Sequence, residues 1–593
     1  MAGKQTRKKV RWAPSQASPG TDPALGDFAI PTHDPPLAPR DEVIFLLHTG
    51  AEIEHALLVQ YLYAAYSLKP PREVPPEHAA KVRAWKKTML DIAREEMGHL
   101  ITVQNLLRLI GGPLNLERED YPFRSQLYPF RFRLEPLSKD SLAKYVVAEM
   151  PNISDPTDEN KAIIARATNT STMQVNHVGI IYARVLHLFS EPHSSSKYHL
   201  ADEDFVGNIG TRQAHYGSWG GAAPVLVPDI SNRSEAIFAI TELAEQGEGM
   251  DDSLTRPSHY QRLLSIYREF PEPGEWEPSY RVPIDPNTGT SEGMDEDWNP
   301  EDDQGQITNP RSLKWAKLFN LRYRMLLAYL SHFLQTDGPL LDEGADYASR
   351  GLLNKWTFDE MRHLSQVASK LATLPRTEVT EGDPGSSDRA GAPFELPYTL
   401  NLPDREEDRW RTHAAVLDAA VHLEQSIEAA HTEDAQDVLL QSLMQSDSTA
   451  LDLLRAVTSG VPAEHKSDFA KVVRLLEDGV RGFRIGVHHN FWRGCTRDQF
   501  VALSIFDNPL FATRPDGTFD AASSNLIKAL RGEPPFDVPE EPGDGSYDPS
   551  HYPRMPAEHP PLPPQAIDYI YHWIESGCPD SDPPAQVAIP AEQ

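Results

Sequence analysis

Residues 51–63, AEIEHALLVQYLY, and residues 94–100, REEMGHL, decide how the chain is read. In the first stretch Glu54 falls on one helical stripe with Leu47, Leu58 and Tyr61, so its carboxylate faces inward. In the second, Glu96 and His99 are three residues apart and share one helix face, and His99 continues an apolar stripe with Ile92, Val103 and Leu106. An inward carboxylate without a partner costs several kcal/mol, so something must neutralise it. Glu96 and His99 alone could satisfy each other in an ordinary core. Glu54 on the preceding long helix turns the reading towards a metal. One Glu from one helix and Glu-x-x-His from the next is the half-site of helical bundles that hold two irons. Oxygen and imidazole donors suit iron or manganese, and the absence of thiolates excludes iron–sulfur clusters and cysteine-bound zinc.

Working outward, 593 residues are too many for one ordinary core and predict two or three domains. Residues 1–40, rich in Pro, Ser and Gly, read as a disordered arm. Asp41 is a fitting N-cap for a first helix ending near Leu68, where Pro70 and Pro71 stop it. A second helix runs from about His78 to Ile110 and breaks at Gly111-Gly112-Pro113. Further helices are predicted over 138–150, 161–189, 234–246, from 258, over 310–334 and over 342–374. The acidic Gly/Pro-rich stretch 376–404 reads as an exposed linker between domains. It precedes a helical region over 405–485 and a mixed region over 486–593 that ends in a helix through Ala566–Ser576. No run of sheet-forming length appears. The fold class is mainly α: a helical bundle over 41–375, then a second, mostly helical C-terminal region.

The net charge is −31, from 87 acidic and 56 basic residues, which argues against nucleic acid as a partner and would draw in iron cations. No apolar run approaches the roughly 18 residues of a membrane span. The basic stretch Lys4–Arg11 is followed by no apolar segment, so it reads as no secretory signal, and the cytoplasm is the expected location. Two cysteines, Cys495 and Cys578, cannot build a disulfide framework or a thiolate cage.

Several stretches together resemble the ferritin-like domain of the iminophenyl-pyruvate dimer synthase family. They are AEIEHALLVQYLYAAYSL, AREEMGHLITVQNLLRLIGGPLNLERED, YPFRFRLEPLSKDSLAKYVVAEMP, ITELAEQGEGM, SHYQRL, LFNLRYRMLLAYLSHFL and AGAPFEL, spread over residues 41–400. Enzymes of that family couple two imines of aromatic 2-oxo acids oxidatively. The resemblance implies a ferritin-like bundle and further metal ligands: Glu149 before Met-Pro, Glu245 in Glu-Gln-Gly-Glu-Gly, and His259 in Ser-His-Tyr. Glu245 shares a face with Ile237, Thr241 and Glu248, and Glu248 competes with it. Ile180 is a departure, because some relatives carry Glu there, and its loss leaves one or two irons open. The implied activity is an oxidase or oxygenase using non-haem iron on a small aromatic or amino-acid-derived metabolite, with dioxygen or peroxide as oxidant. Iron storage and a metal-free scaffold are the alternatives, and a homo-oligomer stays open.

A second Glu-x-x-His occurs at Glu360 and His363, where DEMRHL echoes EEMGHL. A half-site on this second helix pair would complete the metal site, but the helix over 310–334 offers only Asn320 as a counterpart to Glu54, so a solvated face for Glu360 and His363 stands as the alternative. Glu428 and His431 repeat the spacing on a highly charged helix and also read as solvated. The end of the chain, with PRMP and QAIDYIYHWIESGCPD, resembles part of a c-type cytochrome. Without Cys-x-x-Cys-His no covalent haem is expected, and the region reads as a docking module.

Overall fold

The computed structural model describes residues 35–124, 130–151, 157–168, 178–190, 199–206, 212–214, 227–248, 257–289, 305–337, 349–378, 388–396, 400–430, 436–459, 468–479, 496–505, 508–537 and 561–579, with isolated residues between them. The chain divides into two compact units, Met1–Ser448 and Thr449–Gln593.

In the first unit, α1 (Pro39–Ser67) starts two residues before the expected Asp41. Pro39 occupies the first helical position, where a missing N–H costs nothing, and Asp41 and Glu42 complement the positive helix end. From Val43 to Ser67 it is buried around most of its circumference, which makes it the central helix. Helix α2 (Ala79–Leu109) runs along it and gives way to Gly111, whose φ of 67° suits a residue without Cβ. Helix α3 (Lys139–Ala148) opens with a reciprocal cap between Ser138 and Ser141. Within the stretch expected as a helix over 161–189, the described residues form α4 (Asp158–Thr168) and α5 (Val178–Phe189), and residues 169–177 lie outside them. Helix α6 (Arg233–Glu248) precedes α7 (His259–Glu269), which is capped reciprocally by Ser258 and Gln261.

A second long pair follows, α8 (Pro310–Gln335), capped by Asn309, and α9 (Ser349–Leu371). Helices α1 and α2 form one antiparallel-type pair of neighbours, α8 and α9 the other, and α1 touches α9. Helix α5 lies on α1, and α7 packs on α2 and α3. This is a bundle of two helix pairs.

The stretch expected as a free linker is partly core. Residues 379–387 lie outside the described residues, but Ala390, Ala392 and Phe394 are buried. Phe394 packs edge-on against Phe319 and Tyr323 of α8, and its carbonyl accepts from the buried Arg118. Helix α10 (Glu406–Ala430) also packs on α8, turning Trp410, His413, Leu417 and Glu424 inward, and α11 (Val438–Ser459) follows it.

The second unit contains α12 (Asp468–Gly479), α13 (Arg497–Val501), α14 (Asn525–Arg531) and α15 (Pro564–Glu575). Phe469, Phe500, Phe511 and Trp573 fill its core. Strands among the described residues are two-residue pairs only, so the chain is mainly α with a ferritin-like bundle and a separate C-terminal helical cluster. Among the described residues no helix is long and apolar enough to cross a membrane.

Candidate metal centre

Four helices deliver five buried ligand-type side chains to one place. Helix α1 supplies Glu54, and one helical turn of α2 supplies Glu96 and His99. Glu149 caps the C-terminal end of α3, and His259 is the first residue of α7. All are 4% exposed or less. Glu54, Glu96 and His99 form one compact triad, and Glu96, Glu149 and His259 form another. Glu96 belongs to both.

The distances show how the two triads share it. His99 Nδ1 lies 3.1 Å from Glu96 Oε2 and 3.6 Å from Glu54 Oε2. On the other side His259 Nδ1 lies 2.7 Å from Glu96 Oε1 and 3.7 Å from Glu149 Oε2. The two imidazoles stack with centroids 5.4 Å apart. Each carboxylate oxygen of Glu96 therefore faces a different histidine.

Groups beyond the triads fix these side chains. His259 Nε2 stands 2.8 Å from Glu95 Oε2, and Glu95 is held in turn by Arg262, one turn after His259. With the proton of the neutral ring on Nε2, the Nδ1 lone pair points into the site. Tyr182 of α5 donates to Glu54 Oε1 at 2.6 Å, and Tyr61 of α1 donates to Glu149 Oε1 at 2.5 Å. A Cβ at Gly50 would come within 3.3 Å of Tyr182 Oη, so glycine one turn before Glu54 leaves the phenol its path.

The electrostatics describe a site that wants a cation. Burial, with Glu96 nearby, pushes Glu54 up to about 7. Burial alone would lower His99, but Glu96 and Glu54 raise it to about 10. Burial opposes the charge of His259 too, and Glu96, Glu149 and Glu95 raise it well above its ordinary value. Glu95 would be raised by burial, yet His259 and Arg262 hold it at about 2. Without metal, protons on the histidines neutralise the carboxylates.

An ion fits this arrangement on a further observation. His259 Nδ1 is buried and has no hydrogen-bond partner among the described residues, although Glu96 Oε1 is 2.7 Å away. The two atoms approach without the alignment of a hydrogen bond, as two donors converging on one ion do. Three carboxylates and two imidazoles without sulfur form a donor set suited to one or two non-haem iron ions.

Residues 47–268 match the ferritin-like family model. This stretch is a ferritin-like domain. The chain is 23% identical over 361 residues to dichlorochromopyrrolate synthase of Lentzea aerocolonigenes, covering 52% of this chain and 33% of that protein. It is 25% identical over 252 residues to 2-imino-3-(indol-3-yl)propanoate dimerase of Chromobacterium violaceum, covering 37% of this chain and 22% of that protein. The chain thus spans a third or less of the length of these curated relatives. A crystal structure of a ferritin-like protein from Caulobacter vibrioides aligns with 57% of this chain and 98% of its own, at 16% identity and a TM-score of 0.34.

In the ferritin-like domain, then, the structure brings together Glu54, Glu96, His99, Glu149 and His259. Glu245 lies on α6, but its side chain, like that of Glu248, is outside the described residues. Ile180 is buried on α5, so no carboxylate enters from that position. The carboxylate common to both triads is Glu96. Sequence reasoning missed Glu95, Arg262 and Tyr182. The Arg262 spacing from His259 was visible, but its acceptor lies on another helix.

Two results follow. Glu95→Gln should weaken metal affinity about 10- to 100-fold without loss of helicity, the usual cost of removing a histidine's outer partner; equilibrium dialysis against iron checks it. The metal-free protein should also lose stability as pH rises. His99 and Glu54 have folded values raised above their unfolded ones, so their contribution is complete below the unfolded values. For Glu54 it fades from about pH 4.5 through about 7, and for His99 from about 6.5 through about 10. Metal replaces those protons, so thermal melts of the loaded protein should be flatter over the same window.

Proposed function

We propose that Glu54, Glu96, His99, Glu149 and His259 would hold a pair of non-haem irons, with Glu96 common to both triads, and that the chain is an iron-dependent oxidoreductase. The observation that carries this reading is the membership of Glu96 in both triads. The substrate is a small aromatic or amino-acid-derived metabolite, and aromatic 2-imino acids are the first candidates. Support for that class comes from the names of the two relatives, one a synthase and the other a dimerase of an indolyl imino acid.

Bound iron would supply one-electron chemistry with dioxygen or peroxide as the oxidant. Joining two imino acids through a new bond removes one hydrogen from each, two electrons and two protons in all. Dioxygen takes these up to give hydrogen peroxide, and peroxide takes them up to give water. Within the chain, Tyr182 and Tyr61 orient Glu54 and Glu149 by donating to one oxygen of each. Glu95 and Arg262 set the tautomer of His259. Burial of all five ligands keeps bulk water from competing for them.

The test is the purified chain loaded anaerobically with ferrous iron. Up to two irons per chain, without a haem absorption band, and oxygen uptake that depends on an added aromatic 2-imino acid are expected. Iron-dependent oxygen uptake indifferent to every such substrate would favour storage or detoxification, and full activity in chelator would overturn the reading.

A further inference from the structure

The second Glu-x-x-His is neither solvated nor free. Glu360 and His363 of α9 are 4% and 5% exposed, and they face a side chain from α8 that the sequence reading passed over. That side chain is Arg322, completely buried. Its Nη1 donates to both oxygens of Glu360 at 3.2 Å and to His363 Nδ1 at 3.1 Å. Its Nη2 donates to Glu424 Oε1 of α10 at 2.5 Å and to Asp447 Oδ2 of α11 at 2.8 Å.

The two helix pairs stand in register. Glu54 precedes the buried Tyr61 by seven residues on α1, and Arg322 precedes the buried Tyr329 by seven on α8. EEMGHL on α2 corresponds to DEMRHL on α9, so Glu96 and His99 correspond to Glu360 and His363. The neighbours of Glu54 and Arg322 obey the same register, since Tyr323 Oη pairs with His55 Nε2 across the two pairs. The counterpart of Glu54 is therefore Arg322, not Asn320, which instead pairs with Glu395. Glu424 and Asp447 stand where two further helices bring acidic groups to the cage, as Glu149 does in the first site.

We propose that Glu360, His363, Glu424 and Asp447 form a second carboxylate–histidine cage whose resident cation is the Arg322 guanidinium, and that taking the guanidinium away turns the cage into a divalent-metal site. A guanidinium meets the same need as a metal: it offers positive charge and several donors to converging acceptors. It also explains why an otherwise repeated motif tolerates Arg in place of Glu. The fit is incomplete in a way that points to an ion. Glu424 Oε2, an acceptor in a fully buried side chain, has no hydrogen-bond partner among the described residues. Glu360, His363 and Asp447 already bring one ligand atom each within 4.8 Å of one another.

The proposal concerns a different place from the triads around Glu96, and its test separates the two. Manganese per chain is measured after loading and desalting for the parent, His99→Ala, His363→Ala, Arg322→Ala, Arg322→Lys and the double variant Arg322→Ala/His363→Ala. His363→Ala should hold as much manganese as the parent, because arginine occupies that cage. Arg322→Ala should hold one ion more than the parent, and the double variant should lose that extra ion. Arg322→Lys should fold with no gain, since its ammonium replaces the lost charge. If Arg322→Ala folds poorly, manganese in the refolding buffer should restore it. A loss of metal in His363→Ala would show that the cage is a working metal site and overturn the proposal. So would a folded Arg322→Ala without extra metal, or one that manganese fails to rescue while Arg322→Lys folds. His99→Ala reads the first site alone, so a failure there leaves this result interpretable.

Discussion

Replacing Glu96 by Gln should empty both halves of the centre in one step. Iron content should fall to a trace and oxygen-dependent activity by more than about 100-fold, beyond the 10- to 100-fold typical of losing an outer partner. The amide keeps the size of the side chain but not its charge, and Glu96 is the leading charge that raises both His99 and His259. With that anion gone, neither triad keeps the carboxylate it shares with the other. Because Gln is nearly isosteric, helical content should stay at the parent level. Metal analysis beside circular dichroism checks both halves of the expectation.

The second large effect is on stability. Phe394→Ala should destabilise the first unit by about 3–5 kcal/mol, the usual cost of removing a buried aromatic ring. Phe394 is 1% exposed, lies edge-on to Phe319 and Tyr323, and adopts a φ of 49°. A non-glycine residue in that left-handed region needs its surroundings to hold it. The ring is the anchor, and the Phe394 carbonyl gives the buried Arg118 an acceptor. Urea unfolding followed by tryptophan fluorescence should show the loss as a lower midpoint. A change within about 0.5 kcal/mol, typical of surface substitutions, would mean that the stretch after residue 387 is a loose connector as its composition suggests.

What the sequence disclosed depended on where each residue sits in its helix. Glu54, Glu96 and His99 lie in the interiors of long helices, where a period of 3.6 residues assigns a face without any partner being known. Glu149 and His259 sit at helix ends, where periodicity has too few turns to work, and only family resemblance pointed to them. The roles of Glu95 and Tyr182 depend on residues from other helices, which no local pattern contains. The same limit hid Arg322: a single arginine on an apolar stripe has no visible acceptor until α9, α10 and α11 are placed around it. Helix existence was legible almost throughout, because Asp41, Pro70-Pro71 and Gly111-Gly112-Pro113 mark ends by local chemistry. The 388–396 stretch was not, because its Gly and Pro content describes a connector while one phenylalanine makes it core.

The most direct test of the metal centre is His99→Ala, with iron content and melting temperature measured on the same preparation. Alanine is the best helix former, so α2 itself should persist. The variant should fold and should have lost iron and oxygen-dependent activity together. If His99 only paired with Glu96 in the core, removing it would leave a buried carboxylate unpaired at a cost of about 3–5 kcal/mol. A variant that keeps its full iron and melts far below the parent would contradict the account.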